Sequence, residues 1–156
     1  MVHWLCMNIT KQYIAGFIDG EGYMGIIKKS SKACIAGYYY TPALKIAQVA
    51  KNDEVLRAIQ KFIGYGHLEA RTTKQFNASN STSLEIRGMK RVIPILEKLY
   101  PYLIVKKKQA KTLMDFAKLP SGTYNKSDKE RTKLYEQIRF LNRRGLAETE
   151  RKDTER

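Results

Sequence analysis

Cysteine and histidine are scarce in this 156-residue chain, which carries two of each. Cys6, Cys34, His3 and His67 show no paired spacing and match no zinc pattern, so a Cys/His metal centre is not expected. Long apolar runs are missing as well. None approaches the roughly 18 residues needed to cross a bilayer. The first residues, "MVHWLCMNITKQ", lack the basic start, long apolar centre and small-residue cleavage site of a secretory signal. The expectation is an intracellular protein with no membrane partner. Acidic residues are the most telling shortage. Asp plus Glu is 15 against 29 for Lys plus Arg, a formal net charge of +14. A domain so basic points to a polyanion. The basic residues do not collect on one amphipathic helix or flanking run, which favours nucleic acid over a membrane surface. The plain alternative is a basic protein that is merely soluble.

What is present is enough for one folded domain. At 43% hydrophobic residues the composition is that of a globular protein, and a chain of this length hides about 70% of its unfolded surface. Thr10 predicts a cap for a helix over 11–19, with Tyr13, Ile14, Phe17 and Ile18 as its apolar stripe. Strands are predicted over 23–32 and 41–50, the second with Leu44 and Ile46 on one face and Thr41, Ala43, Lys45 and Ala47 on the other. Pro42 near the start of the second strand suggests a bulge or an edge position. A helix over 53–62 ends at Gly64. A third strand, 65–74, a polar turn, 75–82, and a fourth strand, 83–88, follow. Pro94 suits the first turn of a helix running to about residue 99. Helices over 105–119 and 129–142 complete the order, joined by a loop over 120–130. Residues 143–156 are almost devoid of apolar side chains and read as a charged, mobile tail behind a single domain, 1–142. Hairpins rather than crossovers make this an α+β class.

One stretch stands out. Residues 13–22 read "YIAGFIDGEG", an apolar helix that stops abruptly in Asp19, Gly20, Glu21 and Gly22. The C-terminal end of a helix carries partial negative charge and disfavours acids. This stretch resembles the signature of the LAGLIDADG homing endonucleases. "LYPYLIVKKKQA" at 99–110, "LPS" at 119–121 and "QIRFLN" at 137–142 resemble later parts of the single-motif members. The resemblance runs from about residue 10 to residue 142 and implies the family's αββαββα core, with a four-stranded antiparallel DNA-binding sheet and C-terminal helices.

Function follows as an expectation. A single motif implies a homodimer that binds a long pseudopalindromic double-stranded DNA target and cuts it with a divalent metal, in the cytoplasm or organelle of an intron-bearing host. The dimer would pack through Tyr13, Ala15, Gly16 and Asp19, with Ala15 and Gly16 leaving a flat spot between helices. Glu21 occupies the family's metal-binding position, and the resemblance implies the Gly20 carbonyl as a further contact for Mg2+, with Mn2+ or Ca2+ as substitutes in the site. Gln48 matches a residue that orients active-site water. Lys106 matches the active-site lysine, and only the resemblance selects it from Lys106, Lys107 and Lys108. The simple readings are a solvated Glu21, a strand-end Gln48 and a phosphate-facing lysine cluster that includes Lys108.

Alternation along the strands predicts an outward set: Ile27, Lys29 and Ser31; Tyr39, Thr41, Ala43 and Lys45; Glu69, Arg71 and Thr73; Ser83 and Glu85. The same positions match base-contacting positions of the family. Arg71 and Lys29 suit guanine edges, and Glu69 and Glu85 suit the cytosine amino group. The alternative is a non-cleaving protein of the same fold, such as an RNA maturase with intron RNA as its partner.

Overall fold

The computed structural model describes residues 9–74, 78–120 and 127–143. The expectations placed on His3, Cys6, residues 75–77, residues 121–126 of the predicted loop (Ser121 among them) and the tail from 144 onward lie outside them. The chain order is α1 (Lys11–Glu21), β1 (Gly22–Ser30), β2 (Tyr38–Val49), α2 (Glu54–Ile63), β3 (His67–Arg71), β4 (Ser81–Arg87), α3 (Met89–Leu99), α4 (Lys107–Ala117) and α5 (Ser127–Leu141). Two 3-10 turns, Ala50–Asn52 and Tyr100–Tyr102, were not foreseen. The four strands form one antiparallel sheet in the order β1-β2-β4-β3.

Period-two alternation sorts the sheet into two faces. Met24, Ile26, Leu44, Ile46, Leu84 and Ile86 are all at most 3% exposed and face the helices. The same core takes Ile14, Ala15 and Ile18 from α1, Leu56 and Ile59 from α2, Val92, Ile95, Leu96 and Leu99 from α3, Leu113 and Phe116 from α4, and Ile138 from α5. Among the described residues no helix covers the opposite face. This two-layer arrangement is the α+β architecture that the element order implied.

Both proline expectations need correction. β2 is an interior strand, and its register with β1 runs unbroken from Gly22↔Ile46 to Ser30↔Tyr38, so Pro42 makes neither a bulge nor an edge. The carbonyl of Pro42 accepts the Gly88 N–H at 2.9 Å, on the β4 side. A residue's amide and carbonyl point the same way in an antiparallel ladder. The absent N–H of Pro42 therefore faces the end of β4, which pairs with β2 only from Ala43↔Arg87 onward. No ladder bond with β1 is lost. Pro94 is likewise not in a first turn: α3 begins five residues earlier, at Met89, with Gly88 at its N-cap. An exposed proline costs the helix one intrahelical bond. Four buried residues, Val92, Ile95, Leu96 and Leu99, hold α3 on the sheet regardless.

Candidate functional site

α1 runs into the sheet, and its last residue, Glu21, adjoins the first residue of β1. Thr10 caps the start, accepting the Tyr13 N–H at 3.2 Å. At the far end the puzzle of the two acids resolves. The Asp19 carboxylate accepts the N–H groups of Ile104 at 2.7 Å and Lys106 at 2.9 Å. Lys106 is the N-cap of α4, so Asp19 sits at a positive helix end as well as a negative one. The Lys106 side chain, 9% exposed, donates its ammonium to the Asp19 carbonyl. A cation thus meets the exposed carbonyls of α1, as the end of a helix favours. Asp19 was expected at the dimer contact. It instead fastens its own chain's 104–106 segment.

Glu21 is exposed. Beside it a cleft of about 460 Å³ is lined by Asp19, Gly20, Gly22, Tyr23, Val105, Lys106, Gln109, Leu141 and Asn142. Lys106 is thereby brought to the same corner as the acidic end of α1. Gln48 lies at this end of the sheet too, two residues past the Gly22↔Ile46 pair. Alternation turns it toward the helix layer with Leu44 and Ile46. Its amide oxygen accepts the Val49 N–H at 2.9 Å. Among the described residues no three acids, cysteines or histidines converge on one point. One chain therefore offers a single exposed carboxylate and the carbonyls of the last helical turn. That donor set suits Mg2+, which takes one or two carboxylates and fills its octahedron with water and phosphate oxygens.

The flat spot on α1 is also displaced. Ala15 is fully buried and belongs to the chain's own core, which removes it from the expected dimer face. Gly16 and Gly20 are exposed, four residues apart, and a methyl group built on either meets nothing within 4 Å. Residues so spaced share one side of a helix. Tyr13 stands 46% exposed at the start of the same helix, and Ile104 and Val105 are 83% and 70% exposed beyond its other end.

The helix-free face of the sheet is a grid. One row crosses all four strands as Tyr23, Lys45, Glu85 and His67. The next is Gly25, Ala43 and Arg87. Two more, nearer the other ends of β2 and β4, are Ala47, Ser83 and Glu69, then Val49, Ser81 and Arg71. Ile27 pairs with Thr41 and Lys29 with Tyr39. Every predicted outward residue within a strand is on this face. Ser31 and Thr73 lie just past the ends of β1 and β3; the Ser31 N–H bonds the Gly37 carbonyl, and the Thr73 N–H bonds the Asn80 side chain. Lys108 is exposed on α4, outside the strands. Ala43 and Ser83, at 1% and 8% exposure, form a low floor between longer side chains.

Two details change the reading of that face. Glu85 was expected to accept from a base, but its carboxylate holds Arg87: Nε and an Nη of Arg87 both reach Oε1 at 2.8 Å. This hydrogen bond raises the Arg87 pKa above its ordinary value, against the opposing effect of burial and with lesser help from the charges of Glu85 and Glu69. Arg87, His67 and Tyr23 were also missed, though the alternation that picked Lys29 and Glu85 extends to all three. Tyr23 lies down along its strand. A methyl group on Gly25 would run into the Tyr23 hydroxyl and meet its ring carbons at 2.6 and 2.8 Å. The bare position 25 lets the phenol ring lie over it.

Comparison with known proteins agrees with the motif. Residues 14–119 match the family model described as LAGLIDADG endonuclease. The chain is 29% identical over 117 residues to DNA endonuclease I-CvuI of Chlorella vulgaris, covering 74% of this chain and 68% of that protein. The crystal structure of I-CvuI bound to the I-CreI target in the presence of Mg, with the DNA not cleaved, superimposes with a TM-score of 0.74 at 25% identity, over 87% of this chain and 83% of the other. The archaeal intron-encoded homing endonuclease I-Vdi141I, complexed with DNA, gives 0.71 at 25% identity, over 88% and 87%. With its signature helix ending at an exposed acid, its bare sheet face and a family match over most of its length, the chain belongs to the LAGLIDADG endonuclease family.

Proposed function

We propose that the protein is a homing endonuclease that binds a long, pseudopalindromic DNA duplex as a homodimer and hydrolyses one phosphodiester on each strand with Mg2+. The observation that carries this reading is the corner where Glu21, the end of α1 and the buried Lys106 meet beside a helix-free sheet.

The residues divide the work. Glu21 and the Gly20 carbonyl would hold the cation, which supplies Lewis acidity at the scissile phosphate and lowers the pKa of bound water. Lys106 keeps positive charge next to the site where negative charge grows during hydrolysis. Gln48 orients water at the same end of the sheet. Lys29, Arg71, Lys45, Glu69, Arg87 and their neighbours face the major groove, where a β-ribbon fits and base edges are distinguishable. The Glu85–Arg87 pair presents the guanidinium in a fixed pose, so Glu85 acts through Arg87 rather than on cytosine. A second copy would cover the glycine face of α1 together with Tyr13, Ile104 and Val105. Twofold symmetry then matches two half-sites.

The test is incubation with a plasmid library and Mg2+, followed by sequencing of linear products. The expected outcome is a discrete set of double-strand cuts sharing one pseudopalindromic site. Glu21→Gln should abolish cutting while target binding stays within about threefold, since the change removes charge and keeps shape. Intron-RNA binding without any cut would replace this reading with the maturase one.

A further inference from the structure

We propose that Asn142, at the end of α5, is a positioning residue that sets the spacing between Glu21 and Lys106; the inference rests on the endonuclease reading above. β1 is an edge strand, so half of its backbone polar groups have no neighbouring strand to bond. One of them is taken by a side chain from the far end of the chain. The Asn142 Nδ2 donates to the Met24 carbonyl at 2.7 Å, across 118 residues of sequence. Met24 lies three residues beyond Glu21, and its side chain is fully buried. Asn142 therefore grips the backbone of the strand that emerges from the acidic corner.

The grip is held on a braced support. The Asn142 N–H bonds the Ile138 carbonyl at 3.0 Å, which keeps the residue on the helical path. Ile138 is 1% exposed in the core, and the Tyr135 ring lies 5.0 Å from that of Tyr40. α5 is thus anchored before its end reaches β1. The same end also touches α4, where the Gln109 amide donates to the Leu141 carbonyl at 3.5 Å. Gln109 is one helical turn along from Lys106. The end of α5 consequently contacts both arms of the corner, the one leading from Glu21 and the one leading from Lys106. Gln109, Leu141 and Asn142 line the cleft together with Asp19, Gly20 and Lys106. Asn142 acts through the Met24 backbone, without a contact of its own to DNA or metal.

The experiment uses the full chain and the target recovered from the wild-type library digest. Asn142→Asp keeps the shape, removes the donor and sets a negative oxygen against the Met24 carbonyl. Ile138→Val is the control, a change in the same helix that weakens packing and leaves the hydrogen bond alone. Single-turnover cleavage in Mg2+, DNA affinity in Ca2+ and thermal unfolding are measured for each. The expected result for Asn142→Asp is a cleavage rate lower by about 10- to 100-fold, up to the size that a misplacement of about 1 Å produces, with affinity within about threefold. Ile138→Val should lower Tm and leave the rate at the wild-type value. A rate for Asn142→Asp within twofold of wild type, a loss confined to affinity, or a rate loss that tracks Tm in both variants overturns the proposal while the endonuclease reading stands. A wild-type protein that cuts nothing overturns both.

Discussion

Gly22 and Gly25 are three residues apart on one strand, yet a methyl group added to each meets a different kind of neighbour. At Gly22 it strikes the Ile18 carbonyl oxygen at 2.6 Å and the Ile18 Cα at 2.9 Å, both backbone atoms of α1. At Gly25 it strikes the tip of the Tyr23 ring. Backbone cannot step aside, but a half-exposed phenol can swing off the sheet. Gly22→Ala should therefore destabilise the protein by about 1–3 kcal/mol, the usual cost of overpacking. Gly25→Ala should be neutral or gain up to ~1 kcal/mol from lost chain entropy, and should shift the tyrosine fluorescence of the native state as Tyr23 moves. Urea unfolding of both variants checks the pair; equal losses would refute it. At this scale the sequence shows that glycines recur after α1. It does not show which of them is fixed by backbone and which by a neighbouring ring, because that depends on where Tyr23 lies.

At the scale of elements, the strands were the most legible part. A period of two gives each residue only two options, and the buried face decides between them at once, so Lys29, Thr41, Arg71 and Glu85 came out on the correct side. The helix starts were less legible. Pro94 has a strong local preference for a first turn, but four apolar residues on one side of α3 outweigh one missing hydrogen bond. The placing of α5 against β1 was not legible at all, since the bond from Asn142 to Met24 has no local pattern. α4 illustrates a modest electrostatic feature that can be tested. Asp115 bonds Lys111 at 2.7 Å and Lys118 at 3.2 Å. The Lys111 hydrogen bond, opposed by slight burial and reinforced by Lys118, holds its pKa below the ordinary 3.8. A carboxylate with a depressed folded-state pKa adds stability above its unfolded pKa and loses it as pH falls through the folded value. Asp115 is about one-third exposed and near a helix C-terminus, so the contribution is at most about 0.5 kcal/mol. Asp115→Asn should lower the unfolding free energy by that amount at neutral pH and by nothing near pH 2, as read from urea titrations at both.

The whole molecule is expected to be two chains meeting at the signature helix, but Ala15 does not offer the open small-residue surface expected of it. Ala15 points into the core; Gly16 and Gly20 carry the open face. Helix periodicity alone could not choose, because Ala15 and Gly16 are adjacent and the orientation of α1 is set by Ile14 and Ile18, which are fully buried. Gly16→Leu separates the fold from the assembly. Within one chain nothing lies within 4 Å of a Cβ built at this exposed position, and leaving glycine in a helix gains about 0.5–1 kcal/mol. The variant should fold at least as stably as wild type and sediment as a monomer. A dimer of unchanged affinity would remove α1 from the interface.

The bond between Asp19 and the 104–106 segment has a consequence for how this protein can change over generations. Each of its bonds joins a side chain of one residue to the backbone of another: the Asp19 carboxylate accepts the Ile104 and Lys106 N–H groups, and the Lys106 ammonium donates to the Asp19 carbonyl. Backbone groups survive substitution, so a change at 106 leaves Asp19 its two amides, and a change at 19 leaves Lys106 its carbonyl. The two positions, 87 residues apart in the chain, are therefore not bound to mutate as a pair, and a lineage can replace one while the other keeps its grip.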